Sequence, residues 1–176
     1  MLSRDEWKNL GESTKEQMVN VLAGRLHADW VWSYGESLNN VYENGALKPE
    51  NKETNDQAWI EAHGTNVVDI VNTAFDELPM DMQWESKSAA RVVVDIFVEN
   101  EGRVNLEDSS MYYDVGKRVH DAWLERHTWA KDDPNLGVEF SELSQVERDK
   151  DIDQIKVGRE VLGEQFSGES VSPPIN

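Results

Sequence analysis

Apolar residues recur at every fourth position in two stretches of the chain. Leu22, Leu26 and Trp30 form one series; Val115, Val119 and Trp123 form the other. That spacing lines one face of an α-helix. Ser13 and Glu16 stand at capping-box spacing before the first series, and Ser109 or Ser110 can cap the second. The two helices share a motif, "RLHADW" from Arg25 and "RVHDAW" from Arg118. A His and a Trp three residues apart lie one turn apart on a helix, so His27 and His120 are expected at the edge of the buried stripe, with the Trp rings in the core.

A second shared element follows each helix. "FDELPMDMQWESKSAARVVVDIF" starts at Phe75 and "FSELSQVERDKDIDQIKVGREVL" at Phe140. Both open Phe-x-Glu-Leu and run into helical periodicity. Pro79 suits a first helical turn, and Ser144 with Glu147 forms another capping box. Trp84, Val92, Ile96 and Phe97 supply one apolar face; Ile152, Ile155 and Leu162 supply the other. The order of elements occurs twice, which reads as a degenerate tandem duplication. The expected fold is therefore all-α, with two helical repeats packed on a shared core.

The first repeat spans residues 13–98 and carries a helical and loop insert at 35–74. Within it, Thr54 and Gln57 can start a short helix that Gly64 stops, while "NVVDIVNTAF" fits helix or extended chain equally. Residues 99–108 link the copies, 109–166 form the second repeat, and 167–176 form an extended Ser/Pro-rich tail.

Charge narrows the function. The chain has 35 Asp and Glu against 17 Lys and Arg, for a formal net charge of −18. Such a surface repels phosphate backbones and anionic lipids, so neither nucleic acid nor membrane is an expected partner. There is no cysteine, which removes disulfides, thiolate catalysis and Cys-ligated zinc. "MLSRDEWKNL" has no apolar run of signal-peptide length, and the longest apolar stretches, around Asp95, are too short to span a bilayer.

At the second copy the pattern becomes specific. "VGKRVHDAWLERHTWA" followed by "VEFSELSQVERDKDIDQIKVGREVL" resembles the ryanodine receptor (RyR) domain, with His120, Trp123, Arg126, Phe140, Leu143, Glu147 and Asp151 on matching positions. The first copy matches at His27, Trp30, Phe75 and Leu78, with a longer loop. The glycine-tryptophan-tyrosine-glycine loop usual in that family is absent, and "HTWAKDDPNLG" stands as a shortened version. Through "DQAWIEAHGTNVVDIVNTAFDELP" the chain also looks like small proteins of tailed bacteriophages. The resemblance implies a binding or assembly module, with protein partners that include virion subunits or further copies of itself. It would act in the host cytoplasm or within the particle.

Two kinds of site follow. His27, Trp30, Arg118, His120, Trp123, Arg126 and Phe140 could form pockets in which an aromatic ring stacks a planar, nucleotide-like ligand and guanidinium groups hold its phosphate. The structural alternative has each Trp filling the core and each His satisfying a backbone carbonyl of the facing turn. Val171, Pro173, Pro174 and Ile175 in the tail are candidate partner contacts. The stretch "DKDIDQIKVGRE" places Asp149, Asp151, Asp153 and Glu160 at calcium-loop positions, but Gln154 occupies the place where the sharp turn needs Gly. The chain has no Gly-x-Ser-x-Gly and no phosphate-cradling Gly-rich loop. Neither an enzyme nor a cofactor or metal site is expected.

Overall fold

A computed structural model describes residues 2–164. Among them are six α-helices and one two-stranded sheet. The helices are α1 (Arg4–Lys8), α2 (Glu12–Glu36), α3 (Gln57–His63), α4 (Met80–Glu99), α5 (Ser109–Arg126) and α6 (Gln145–Glu164); the strands are β1 (Asn51–Glu53) and β2 (Val67–Asp69). The fold is mostly helical, as the periodicity predicts. No helix among the described residues is long and apolar enough to cross a membrane.

Two compact units divide the chain. One brings the residues up to Leu22 together with the chain from Ala89 onward; the other is Ala23–Ser88. In the first, α2 contributes Met18, Val19 and Leu22, and α4 contributes Ala90, Val93, Val94 and Phe97, all buried. Spacings of three and four place each set on one face. From α6 come Ile152, Ile155 and Leu162. The backbone of α6 crosses close to α4 at Gly158, where a β-carbon would run into Val93, with Phe97 also in contact. Helices from both halves of the sequence thus meet in one core.

α1 escapes the periodicity argument because it is one turn long. Ser3 and Glu6 cap it reciprocally, and Trp7 is buried against Phe97 with ring centroids 6.2 Å apart. Two 3₁₀ turns, Phe75–Glu77 and Phe140–Glu142, stand ahead of α4 and α6. Each delivers a buried leucine, Leu78 or Leu143, to the following helix. Phe140 lies against Gly116 of α5, where a β-carbon would overlap its ring.

The Ala23–Ser88 unit holds the antiparallel pair β1 and β2, with Lys52 opposite Val68. "NVVDIVNTAF" is therefore strand at Val67–Asp69, followed by turns. Val68, Ile70 and Leu78 form a small core against Trp59, Phe75 and Met82. Acidic side chains fix the local geometry. Asp56, not Thr54, caps α3 by accepting from the Trp59 N–H, and its other oxygen accepts from Met80 N–H at the start of α4. These N–H groups, Met80 foremost, hold the Asp56 carboxyl below the usual carboxylate range. Thr54 instead donates to Asp81. Gly64 ends α3 in the left-handed region at φ 71°, as predicted from its position.

Other starts shift as well. α2 begins at Glu12, which puts Ser13 inside the helix. Asp108 caps α5 rather than Ser109 or Ser110, because its carboxylate reaches the Met111 N–H. Ser144 does cap α6, accepting from Glu147 N–H at 3.3 Å. The tail 167–176, with Val171, Pro173, Pro174 and Ile175, lies outside the described residues.

The contact between Phe140 and Gly116 gives a test. Gly116→Val should lower the unfolding free energy by about 1–3 kcal/mol, the usual cost of forcing extra carbons into a packed core. Urea denaturation followed by circular dichroism measures this.

Candidate functional site

His120 occupies the centre of the unit that contains α5 and α6. It is 2% exposed, so the edge position expected from the helical stripe is corrected: α5 is covered on a wider arc, which takes in Val115, Gly116, Val119 and His120. Nε2 lies 2.9 Å from the Val138 carbonyl. A carbonyl only accepts, so Nε2 carries a proton and donates it. Nδ1 lies 3.4 Å from Oδ2 of Asp151 on α6. Closing that second interaction requires one more proton, on the imidazole or on the carboxyl. Burial pushes the Asp151 carboxyl up to about 6, with His120 pulling the other way.

A cavity of about 240 Å³ opens beside this pair. α5 contributes His120 and Trp123 to its wall, and the α5–α6 connection contributes Leu136 and Leu143. The remaining wall is the α6 face carrying Glu147, Lys150, Asp151 and Gln154. Trp123 is half-buried and stacks on His127 at 4.7 Å and 25°. The exposed Trp129 meets Trp123 edge-on at 6.0 Å.

The other residues singled out from the sequence do not complete a phosphate pocket here. Arg118 forms a two-pronged pair with Glu99, at 2.6 and 3.1 Å. Arg126 donates to the Ala122 carbonyl of its own helix at 3.0 Å. Phe140 is buried under α5 and serves the core. The guanidinium groups thus have internal partners, and neither lines the cavity.

His27 and Trp30 belong to the Ala23–Ser88 unit. Burial holds the His27 imidazole below the ordinary histidine range, partly opposed by the Thr73 backbone carbonyl. Its Nε2 is buried without a hydrogen-bond partner. The expectation that Trp30 fills the core is corrected: it is 39% exposed and packs sideways between His27 and Tyr34 on its own helix. Burial fades along that face, from Leu22 through Leu26 to Trp30. Trp84 is likewise exposed, and α4 turns Val93, Val94, Ile96 and Phe97 inward instead.

The calcium-loop alternative is overturned by secondary structure. Asp149 to Glu160 lie inside the continuous helix α6, so the carboxylates point around a helix rather than into a loop. Asp149 accepts from Gln145, and Asp153 pairs with Lys156. Among the described residues no group of three or more His, Asp or Glu side chains converges as metal ligands would.

Asp151 is the residue that sequence reasoning did not connect to His120. The signal was present: once Ser144 caps a helix, Asp151 falls on the apolar face beside Ile152 and Ile155. An acid there must find a buried donor. Compared with models of protein families, with curated proteins and with solved structures, the chain matches none.

Asp151 has a measurable signature. A carboxyl raised by burial contributes stability that is complete below its ordinary value near 3.8 and is lost as pH rises through about 6. Asp151→Asn cannot ionise and can still donate to Nδ1. It should match the wild type at low pH and exceed its stability at neutral pH by up to about 3 kcal/mol. Denaturation midpoints of both proteins across this pH range check the difference.

Proposed function

We propose that the chain is a non-catalytic helical interaction module that docks a protein partner through the aromatic face at the C-terminal end of α2. The observation that carries this reading is Trp32, an indole 68% exposed on a well-formed helix. An indole left mostly in water forgoes roughly 3–4 kcal/mol of transfer free energy. A groove of about 430 Å³ runs beside it, lined by Ala28, Val31, Gly35 and Leu47 with Glu36 at its polar end. Gly35 admits Leu47, whose Cδ2 would lie 2.8 Å from a β-carbon there. Leu38, 91% exposed, follows immediately after the helix. Exposed aromatic and aliphatic anchors beside a groove are what interface hot spots are made of.

The net charge of −18 favours a partner with a basic rim, steering encounter while the apolar contact holds the complex. The two ring nitrogens of His120 are committed to Val138 and Asp151, which speaks against that histidine as a general base. A soluble sensor or sponge for a nucleotide-like ligand has less support, because Arg118 and Arg126 are turned to internal partners. The matching order of helix, Phe-x-Glu-Leu turn and helix in both halves supports the duplicated, RyR-like reading. The likeness to small tailed-phage proteins supports a virion accessory or decoration role.

Trp32→Ala should leave stability within about 0.5 kcal/mol, as exposed substitutions do, while removing the chain from its native complex. A photo-reactive residue at position 32 should cross-link one protein species in the source cell or particle. Entry of Trp32→Ala into that complex at unchanged occupancy would overturn the proposal.

A further inference from the structure

We infer that Asn44 is a site of spontaneous covalent modification. Its side-chain amide condenses with the Gly45 backbone nitrogen, and hydrolysis leaves an isoaspartate that loosens the hairpin carrying Leu47 to the α2 groove. Asn44 is the one asparagine of the chain followed by glycine. Every other asparagine with a successor precedes Leu, Val, Asn, Lys, Asp, Thr or Glu. A side chain on the successor crowds the nitrogen that must attack, and glycine has none.

The fold demands this pair. Between α2 and β1 the chain turns back at "YENGA". Gly45 N–H donates to the Tyr42 carbonyl at 2.9 Å, and Tyr42 N–H donates to the Ala46 carbonyl at 2.8 Å. That is the pattern of a short hairpin loop closed by a left-handed residue, and Gly45 is that residue, at φ 84°. The same turn aims the Asn44 side chain. Its Oδ1 accepts from Ala46 N–H at 3.0 Å. Attack at Cγ puts negative charge on that oxygen, so a donor already stands where charge develops. Tyr42, Glu43, Asn44, Gly45 and Ala46 are all exposed, and nothing lies within 4 Å of a β-carbon built on Gly45. Water reaches both reacting groups.

In the closed turn the Gly45 N–H is engaged, so reaction follows opening. Opening is easy here, because beyond the loop one isolated bridge, Val41 to Leu47, joins the two arms. Hairpins of this size are marginally stable and open locally well before a chain unfolds.

The step needs only water. The Gly45 nitrogen gives its proton to hydroxide and bonds to Cγ of Asn44. The C–N bond of the side-chain amide breaks, and its nitrogen leaves as ammonia after taking a proton from water. Water then opens the cyclic imide. Opening at the α-carbonyl sends the main chain through Cβ and Cγ, which adds a methylene to the backbone and frees a carboxylate. A lengthened tip shifts the pairing of Val41 with Leu47. That pairing brings Leu47 Cδ2 against Gly35, beside Trp32.

The full chain is held for days in ¹⁸O-labelled water at mildly alkaline and mildly acidic pH, then digested and mapped by mass spectrometry. Label should enter at residue 44 ahead of every other asparagine. It should enter faster in the alkaline sample, because the attacking nitrogen must lose its proton. Asn44→Gln, checked by circular dichroism, should take up none at that position. The isoaspartyl form, resolved chromatographically, should show displaced Leu47 methyl resonances. Asn44→Asp carries the same charge on an unlengthened backbone and should leave them in place. Retention of the Asn44 amide, earlier labelling at another asparagine, or unmoved Leu47 methyls in the isoaspartyl form would overturn the inference.

Discussion

One imidazole closes the circuit on which the α5–α6 half of the molecule depends. His120 reaches back from α5 to the Val138 carbonyl, which fixes the returning chain two residues before Phe140. Phe140 then seats against Gly116, the 3₁₀ turn presents Leu143, and Ser144 caps α6. α6 in turn brings Asp151 back to the other ring nitrogen. Three segments are tied by a single buried side chain. An apolar residue at position 120 would fill space but leave a carbonyl and a carboxyl in the core without a partner, and an unmade buried hydrogen bond costs more than a made one gains.

The Ala23–Ser88 unit has a related arrangement in which the tie is not closed. His27 Nε2 is buried without a hydrogen-bond partner, although Thr73 stands two residues before Phe75 as Val138 stands two before Phe140. Leu78 and α4 then follow as Leu143 and α6 do. The eleventh residue after Phe140 is Asp151; the eleventh after Phe75 is Ser86. The first histidine thus faces no acid at that position and stays below the ordinary histidine range by burial. The second faces one at 3.4 Å and borders a cavity. That difference separates a buried histidine without an acid from one that faces an acid beside a cavity.

The helices were legible because apolar residues at three- and four-residue spacing leave few other conformations. The Gly64 stop was legible for a different reason, that a left-handed helix end favours glycine. Helix starts were misread wherever two capping candidates stood close together: Asp56 lies two residues from Thr54 and Asp108 one from Ser109, and only the fold decides which carboxylate reaches the N–H. Trp30 and Trp84 were misread because periodicity reports a face and not what covers it. The short strands β1 and β2 carry too few residues for alternation to speak. Asp151 was hidden by its acidic neighbours: in a chain with 35 acids, the one buried among the described residues is distinguishable only once the helical register is known.

The protonation of His120 tests this architecture most directly. Long-range ¹⁵N–¹H correlation spectra of the folded chain report which ring nitrogen bears a proton. The tie to Val138 requires a slowly exchanging proton on Nε2 of His120 at every pH at which the fold persists, and Asp151→Asn should leave it in place. A His120 ring protonated only at Nδ1, with a bare Nε2, would contradict the tie between α5 and the chain leading into Phe140.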